Sequence, residues 1–334
     1  MPEMIREAMY YKDLGNHILQ CELCPHYCVI APGELGKCRS RENIDAKLWI
    51  VNYGKALGIS VDPIEKKPLY HYRPGSHILS LGPNSCNLNC RWCQNYQISQ
   101  FEADTIQLSL EELYGLVLKY NPSTLQIAFT YSEPLTWYEY ILDFAVKYPE
   151  INIVLVTNGF INPEPLAELL PHISAVNIDL KGIDEDLYRN YCSGSLAPVK
   201  ESIRQCAEAS VHLEVTLLLI PGVNDSKEDI EQLVNFVASI SDEIPLHISA
   251  YHPDYLMNNR ATTYEDIKYA SEIAHCKLKY VYGGNLPIED MRDTYCPSCH
   301  DLLCKRSFSE TVSYITADSE CSHCGRKIYG KYDS

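Results

Sequence analysis

Short apolar runs recur along residues 78–282, and segments with helical spacing of apolar positions lie between them. The runs are typical of strands buried on both faces of a sheet, and they occupy 78–81, 125–129, 151–156, 176–180, 213–220, 246–250 and 279–282. Helical spacing covers 109–120, 137–147, 163–170, 198–209, 226–237 and 263–275. Strands that alternate with helices of about 10–15 residues indicate βαβ units and a parallel sheet. The sequence therefore predicts an α/β fold, with an open or partial (β/α)6 barrel.

Three of the predicted helices carry a start signal, in which Ser or Thr stands three positions before an acidic residue. These pairs are Ser109 with Glu112, Ser226 with Asp229 and Thr263 with Asp266. The hydroxyl accepts hydrogen bonds from backbone N–H groups of the first turn, which have no partner inside the helix. Outside the barrel, residues 3–20 predict a short amphipathic helix.

Polar and chemically reactive residues follow the carboxyl ends of the predicted strands. They are Cys86–Cys93, Glu133, Thr157 and Asn158, Asp179 and Lys181, Asn224 and Asp225, and His252. In a barrel of parallel strands, the loops at the carboxyl ends of the strands form the active site. We therefore expect these side chains to converge on one site.

The strongest motif is Cys86-x3-Cys90-x2-Cys93, with Trp92 just before the last cysteine. Three thiolates can hold three irons of a [4Fe–4S] cluster, for which four ligands are usual, and so leave one iron free to bind a small molecule. A closed structural zinc site needs four ligands, and no fourth lies nearby in the sequence. The odd number of cysteines argues against disulfides. The motif therefore predicts a cluster with one open iron.

Two further sets of four cysteines flank the barrel. Cys21, Cys24, Cys28 and Cys38 predict a complete four-thiolate site, which suits structural zinc and an auxiliary iron–sulfur cluster equally. Cys296, Cys299, Cys321 and Cys324 have the spacing of a zinc ribbon or rubredoxin-like module, for which zinc is favoured and iron remains possible. We expect Cys304 and His323 not to be ligands, and His300 stands where such turns usually carry glycine.

The remaining cysteines and one charged loop give weaker signals. Cys192 predicts a buried apolar cysteine, with a substrate-facing thiol as the alternative, and Cys206 and Cys276 predict core positions. Residues 62–71 place charged side chains between two prolines, which excludes a helix interior. This segment predicts either a solvated loop or a loop that covers the active site.

Bulk composition limits the function classes. The chain has 334 residues and a formal net charge of −16, which argues against a nucleic-acid binder. No apolar run approaches the 18 residues of a membrane span, and the N-terminus lacks the apolar stretch of a signal peptide. Fifteen cysteines without a secretory signal indicate metal ligation in a reducing, cytoplasmic compartment. We expect three parts: an N-terminal cysteine module at 1–75, the barrel at 76–290, and a C-terminal module at 291–334.

Residues 21–330 resemble the radical S-adenosylmethionine (SAM) component of the AmmeMemoRadiSam system, a relative of the pyruvate formate-lyase-activating enzymes. The segments that carry the resemblance are CELCPHYC, DPIEKKPLYH, CNLNCRWCQNYQIS, YSEP, VTNG, NIDLKG, IPGVND, HISAYHPD, YGGN and CPSC…CSHCG. The resemblance implies a radical SAM partial barrel. It also implies that a reduced [4Fe–4S] cluster passes one electron to SAM, which yields methionine and a 5′-deoxyadenosyl radical.

The same resemblance implies roles for individual residues. Glu133 accepts hydrogen bonds from the SAM ammonium, Asn158 contacts the ribose, and Trp92 packs beside the cluster and the adenine. Asp179, Lys181 and His252 occupy positions that resemble SAM-binding groups of the activating enzymes. Relatives carry a Gly-Gly-Glu-Pro-like segment, whereas this chain has the bulkier Tyr131 and Ser132 before Glu133.

The resemblance implies hydrogen abstraction from an unidentified protein or small-molecule substrate. Memo- and Amme-type proteins are possible partners, and ferredoxin or flavodoxin is the expected electron donor. One alternative is an activase of a glycyl-radical enzyme. A second alternative, from a different class, is an iron–sulfur electron-transfer or metal-stabilised binding protein without SAM chemistry.

Overall fold

The computed structural model describes residues 6–209, 211–287, 291–307 and 310–332. Its centre is an eight-stranded sheet. The strands are β1 (Ser60–Pro63), β2 (His77–Leu81), β3 (Gln126–Phe129), β4 (Asn152–Thr157), β5 (Ala175–Asp179), β6 (His212–Leu219), β7 (Leu246–Ala250) and β8 (Val281–Gly284). The helices that follow β2 to β7 are α1 (Leu110–Tyr120), α2 (Tyr138–Lys147), α3 (Pro163–Leu169), α4 (Leu196–Glu208), α5 (Lys227–Ile240) and α6 (Tyr264–His275).

The strands from β2 to β8 are parallel and lie in sequence order, while β1 adds an antiparallel edge beside β2. Six helices connect seven parallel strands, so the α/β class and the partial barrel are confirmed. β3, β6 and β7 have only buried or nearly buried residues, because helices cover one face of the sheet and the barrel interior the other. None of the helices in the described part of the chain is long and apolar enough to cross a lipid bilayer.

The predicted start signals of three helices are confirmed. The Ser109 hydroxyl accepts a hydrogen bond from the Glu112 backbone N–H at α1, and Thr263 does the same for Asp266 at α6. Ser226 caps α5 in the same way. Of the two cysteines predicted to be core residues, Cys206 on α4 is buried, whereas Cys276 is exposed because it follows the last turn of α6.

The helix predicted for residues 3–20 is wrong over its described part, residues 6–20. The segment forms short strands at Arg6–Glu7, Tyr11–Asp13 and Leu19–Cys21. Tyr10, Gly15, Asn16 and His17 all have positive φ, between +53° and +87°, which a right-handed helix does not allow. Further strands follow at Val29–Ile30, Arg41–Ile44, Lys47–Ile50 and Lys55–Ala56, the last of which pairs with Ile106–Gln107.

The segment from Asp62 to His71 is not a solvated loop. After a 3-10 turn at Ile64–Lys66, Lys67 and His71 are buried, at 2% and 0% exposure. The backbone N–H groups of Tyr70 and His71 donate hydrogen bonds to the carboxylate of Glu214 on β6, at 3.0 and 2.7 Å. These bonds hold the segment against the amino-terminal half of the barrel.

The C-terminal region packs against the amino-terminal ends of the barrel strands. It contains an antiparallel sheet of Thr294–Tyr295, Leu302–Arg306 and Thr311–Ser313. Tyr70, Tyr282 and Ile328 belong to the buried cluster at this contact, and Arg306 Nη2 donates to the Tyr70 carbonyl at 2.6 Å. The carboxyl ends of the strands, where the site was predicted, are left open on the other side.

Candidate active site

A cavity of about 350 Å³ lies at the carboxyl ends of the parallel strands. This volume is within the range of small-molecule sites in proteins. Residues from most of the barrel loops line it: Lys66, Lys67, Pro68, Cys86, Leu88, Cys90, Trp92, Cys93, Gln94, Asn95, Ser99, Gln100, Thr130, Tyr131, Ser132, Glu133, Val156, Thr157, Asn158, Asp179, Lys181, Thr216, Leu218, Ser249 and Asn285. The predicted convergence of the strand-end residues on one place is therefore found for most of them.

All three cysteines of the Cys86–Cys93 motif line this cavity. Their sulfurs have donors nearby, because the Leu88 backbone N–H lies 3.4 Å from Cys86 Sγ and the Ser99 hydroxyl lies 3.4 Å from Cys93 Sγ. Such donors stabilise bound thiolates. Within the described residues, three or more metal-ligand atoms lie within 4.8 Å of one another only at the C-terminal cysteines. The three sulfurs of the motif therefore do not all lie within 4.8 Å of one another, and this wider spacing fits a cubane cluster better than a single ion.

Cys192 packs behind Cys90 and is not among the cavity-lining residues. The backbone of its segment meets the cysteine loop, with the Asn89 N–H donating to the Cys192 carbonyl at 2.9 Å. The Cys192 thiol hydrogen-bonds Cys90 and thereby lowers the pKa of Cys90. Cys192 is fully buried, as predicted, and the alternative of a thiol facing the substrate has no support in this geometry.

Glu133 is buried at the cavity wall and held by three donors. Its Oε1 accepts from the Thr157 hydroxyl at 2.6 Å and from the Leu135 N–H at 3.0 Å, and its Oε2 accepts from the Asn158 N–H at 2.8 Å. Burial raises the pKa of Glu133 to about 7, although these hydrogen bonds act in the opposite direction. A buried carboxylate of this kind is suited to a cationic ligand in the cavity.

Asn158, Trp92, Asp179 and Lys181 also line the cavity, as the sequence predicts. Lys181 Nζ lies 3.1 Å from Asp179 Oδ2, so the two form an ion pair at the end of β5. Trp92 is 3% exposed. Together with Glu133, the structure thus places five of the six predicted cofactor-binding residues beside the cysteines.

His252 is not among the lining residues and is exposed. Its Nδ1 lies 2.9 Å from Nε2 of Gln94, which does line the cavity, so His252 stands at the rim. Asn224 is buried and bonds the carbonyls of Lys181 and Leu218 at 2.9 Å each. It supports two site loops without facing the cavity.

Lys66 and Lys67 contribute to the cavity wall, although the sequence reasoning did not assign them as site residues. Lys67 Nζ lies 2.7 Å from Asp62 Oδ2 and 4.5 Å from the ring of Tyr131. Although burial opposes the shift, hydrogen bonds from Lys67 and Tyr131 hold the pKa of Asp62 at about 2. In the sequence, the signal for this role was the pair of lysines between two prolines. Of the two predictions for residues 62–71, a solvated loop and a loop that covers the active site, the second agrees with the structure.

Tyr131 has a φ of +73°, in the left-handed region that favours glycine. A tyrosine thus takes a conformation that is usual for glycine. Its hydroxyl donates to Asp62 Oδ2 at 2.7 Å. The side chain therefore ties the Ser132-Glu133 loop to the edge of the sheet.

The C-terminal cysteines form a compact group on the other side of the barrel. Cys296 Sγ lies 3.7 Å from Cys324 Sγ, and Cys299 Sγ lies 3.7 Å from Cys321 Sγ. Zinc with Zn–S bonds of about 2.3 Å places its sulfurs about 3.8 Å apart. Cys304 and His323 are not in the group, as predicted. His300 has a φ of +60°, a left-handed conformation that favours glycine, which is the residue usual at this position of such turns.

The same chain resembles known proteins at the level of sequence. Residues 82–237 match the model of the Radical SAM superfamily. The chain is 39% identical to the uncharacterized protein MJ0808 of Methanocaldococcus jannaschii. The similarity spans 97% of this chain and 99% of that protein. The chain belongs to the radical SAM superfamily.

This radical SAM protein is also 25% identical to a pyruvate formate-lyase-activating enzyme of Clostridium pasteurianum, over 50% of the chain and 72% of that enzyme. Among solved structures, a domain of a pyruvate-formate lyase-activating enzyme from Bacteroides vulgatus has a TM-score of 0.43 and 22% identity, over 48% of this chain and 98% of that one. A radical SAM methyltransferase from Sphaerobacter thermophilus has a TM-score of 0.48 and 15% identity, over 62% of this chain and 66% of the methyltransferase. Membership of the AmmeMemoRadiSam system stays a prediction.

Proposed function

We propose that this radical SAM protein is an enzyme that binds a [4Fe–4S] cluster through Cys86, Cys90 and Cys93 and cleaves SAM reductively. The observation that carries the proposal is the composition of the cavity wall. Three cysteines line it, and among the described lining residues there is no fourth. A buried carboxylate and an ion pair stand beside them. With a cluster bound, its open iron and the polar wall would together form a site for a molecule that carries an ammonium and a carboxylate.

The chemistry supplied by the bound cluster is one-electron reduction of SAM, which breaks the S–C5′ bond and yields methionine and a 5′-deoxyadenosyl radical. The chain's own residues bind and orient SAM. Glu133 accepts a charge-assisted hydrogen bond from the ammonium, and Asn158 donates to or accepts from the ribose hydroxyls. The Asp179–Lys181 pair offers both charges at the adjacent wall. Trp92 provides a flat apolar surface for the adenine.

Apolar side chains complete the cavity and limit access of water to the radical. Leu88, Val156 and Leu218 line it beside Trp92. With the cluster and SAM bound, a substrate would have to enter the remaining part of this cavity to give up a hydrogen atom.

The reductant in this proposal is a low-potential ferredoxin or flavodoxin. The substrate is a protein or a small molecule, and Memo- and Amme-type proteins are the candidate partners.

An activase of a glycyl-radical enzyme is the second candidate. The similarity to the pyruvate formate-lyase-activating enzyme of Clostridium pasteurianum favours it. That similarity covers half of the chain. A stable glycyl radical, seen by EPR after incubation with a glycyl-radical enzyme from the same cell, is the observation that selects this candidate.

Anaerobic reconstitution followed by dithionite and SAM tests the proposed chemistry. We expect 5′-deoxyadenosine and methionine in equal amounts, and neither product from a Cys86→Ala, Cys90→Ala, Cys93→Ala variant. A protein with full iron content that forms neither product contradicts the proposal. Such a result favours the alternative of an electron-transfer or binding protein without SAM chemistry.

A further inference from the structure

We propose that Cys21, Cys24, Cys28 and Cys38 hold a second [4Fe–4S] cluster, and that this cluster passes electrons to the one at Cys86–Cys93. The identity of the N-terminal metal group does not depend on the proposed function. The relay role rests on it, because the relay needs an acceptor cluster at the active site.

The four N-terminal sulfurs surround a space instead of meeting at a point. All four cysteines line one cavity, together with Arg41 and Asn87. Among the described residues, no three of these sulfurs satisfy the 4.8 Å limit that the C-terminal group satisfies. Zinc needs sulfurs about 3.8 Å apart, whereas a cubane needs thiolates roughly 6 Å apart. The wider arrangement therefore favours a cubane.

A buried cation beside the cavity supports an anionic group in it. Arg41 lines the cavity and its side chain is 1% exposed. Its Nη2 contacts the Glu139 carboxylate at 2.7 Å and its Nη1 donates to the Thr136 carbonyl at 3.1 Å, but its Nε–H has no hydrogen-bond partner. A buried donor without a partner is costly. A sulfide or thiolate of a cluster would supply the missing acceptor.

The N-terminal cavity lies next to the active-site cysteines. Asn87, the residue after Cys86, lines it. His26, which stands between Cys24 and Cys28, bonds the Asn87 carbonyl through Nε2 at 2.6 Å. One hydrogen bond and one peptide unit thus connect the two cysteine sites. Asn158 adds a second link, because its Nδ2 reaches both Asn87 Oδ1 at 2.9 Å and Cys86 Sγ at 3.7 Å.

The N-terminal site also lies near the surface. Tyr27 and Val29, on either side of Cys28, are 47% and 58% exposed. The loop is fixed to the barrel from the other side, since the Asn162 N–H donates to the Leu23 carbonyl at 3.0 Å and Asn162 Nδ2 donates to the Glu22 carbonyl at 2.6 Å. A rigid site between solvent and Cys86 is suited to electron entry.

Metal analysis of three full-length, anaerobically reconstituted proteins tests the identity of the group. We expect about eight iron atoms in the wild type. The triad variant, which combines Cys86→Ala, Cys90→Ala and Cys93→Ala, and the double variant, which combines Cys24→Ala and Cys28→Ala, should each hold about four. All three proteins should hold about one zinc. Cys206→Ala, which removes a buried cysteine outside every group, serves as the control and keeps about eight. The triad variant should also keep a reduced-cluster EPR signal that SAM does not change.

About two zinc atoms and no iron in the triad variant overturn the proposal. If that variant fails to fold, the wild type and Cys24→Ala, Cys28→Ala decide, because equal iron in these two also overturns it. A third outcome is about four iron atoms in the triad variant and no SAM cleavage by the wild type. This outcome supports the second cluster and contradicts the proposed function.

Comparison of two reductants tests the relay. In Cys24→Ala, Cys28→Ala we expect 5′-deoxyadenosine formation driven by flavodoxin to fall by an order of magnitude or more relative to that driven by dithionite, which is small enough to reach the active site directly. His26→Phe keeps all four thiols and the ring contact with Phe160 but removes the hydrogen bond to Asn87. We expect a smaller fall at unchanged iron content. An unchanged ratio of the two rates in the double cysteine variant overturns the relay role.

Discussion

The Cys86–Cys93 triad and the C-terminal cysteine group use the same ligand atom in opposite arrangements. The C-terminal sulfurs close on one another at 3.7 Å and leave no position for another ligand. The triad lines a cavity of about 350 Å³ together with Glu133 and Lys181. A closed thiolate site supports structure, whereas an incomplete one supports exchange of ligands at the metal. Chemistry in this chain is therefore expected where the thiolate set is incomplete.

Removal of the triad should have the largest effect. We expect Cys90→Ala with Cys93→Ala to lose about four iron atoms and to reduce 5′-deoxyadenosine formation to the background of the assay, while zinc is retained. Cys304→Ala, at a buried cysteine of the C-terminal module outside its metal group, is the matched control and should retain both iron and activity. Activity at the wild-type level in the double variant would remove the triad from the reaction.

Glu133→Gln should come next. The amide cannot offer a negative charge to the SAM ammonium, and its NH2 group faces N–H or O–H donors at Thr157 and Asn158. Because a hydrogen bond to a charged group contributes about 1.5–3 kcal/mol, we expect SAM to bind about 10- to 100-fold more weakly. Isothermal titration of the reconstituted protein at pH 8 measures this change. An unchanged Kd would show that Glu133 only supports the loop.

The pH dependence of SAM binding sharpens the same point. Burial raises the pKa of Glu133 to about 7, so the free protein protonates this group as pH falls below 7 and loses the acceptor for the ammonium. The apparent Kd of SAM should then rise by up to about tenfold per pH unit between pH 7 and 5. Glu133→Gln should abolish this slope. Since the folded pKa lies above the usual 4.5, the group stabilises the fold below about pH 4.5, and this contribution is lost as pH rises to 7.

Disruption of the closed site should affect stability and not chemistry. We expect Cys299→Ala to lose zinc and to lower the midpoint of thermal unfolding by roughly 5–10 °C, because structural metals contribute directly to folding. Iron content and SAM cleavage per iron should stay the same. Calorimetry and metal analysis of the same samples measure both. Loss of SAM cleavage without loss of iron would contradict the division of roles between the two sites.

His252→Ala should have the smallest effect. His252 is exposed at the rim and reaches the cavity only through Gln94. We expect SAM to bind within about threefold of the wild-type Kd, since exposed hydrogen bonds contribute little. A loss of tenfold or more would mean that the rim loop moves inward when SAM binds.

Local patterns in the sequence were enough to predict the barrel. Apolar runs predicted each parallel strand, and the pairs at Ser109, Ser226 and Thr263 predicted the starts of three helices. Residues at the carboxyl ends of strands converge by geometry in a parallel barrel, so most of the site followed from the order of the elements.

Features that depend on distant contacts could not be predicted. The segment at Tyr70 and His71 is buried because it meets Glu214, more than 140 residues later in the chain. The apparent helix at 3–20 is interrupted by left-handed residues at Tyr10 and His17, whose conformation the apolar spacing does not report. The separation of the sulfurs in each cysteine group was likewise invisible, because spacing along the chain does not fix distance in space.

EPR and ENDOR of the dithionite-reduced protein, with SAM labelled with 15N in its amino group, test the open iron most directly. An incomplete thiolate set predicts that SAM changes the spectrum of the reduced cluster and that the labelled nitrogen is coupled to it, with both effects absent in Cys86→Ala, Cys90→Ala, Cys93→Ala. A cluster spectrum unchanged by saturating SAM, with no nitrogen coupling, would contradict the assignment of this site.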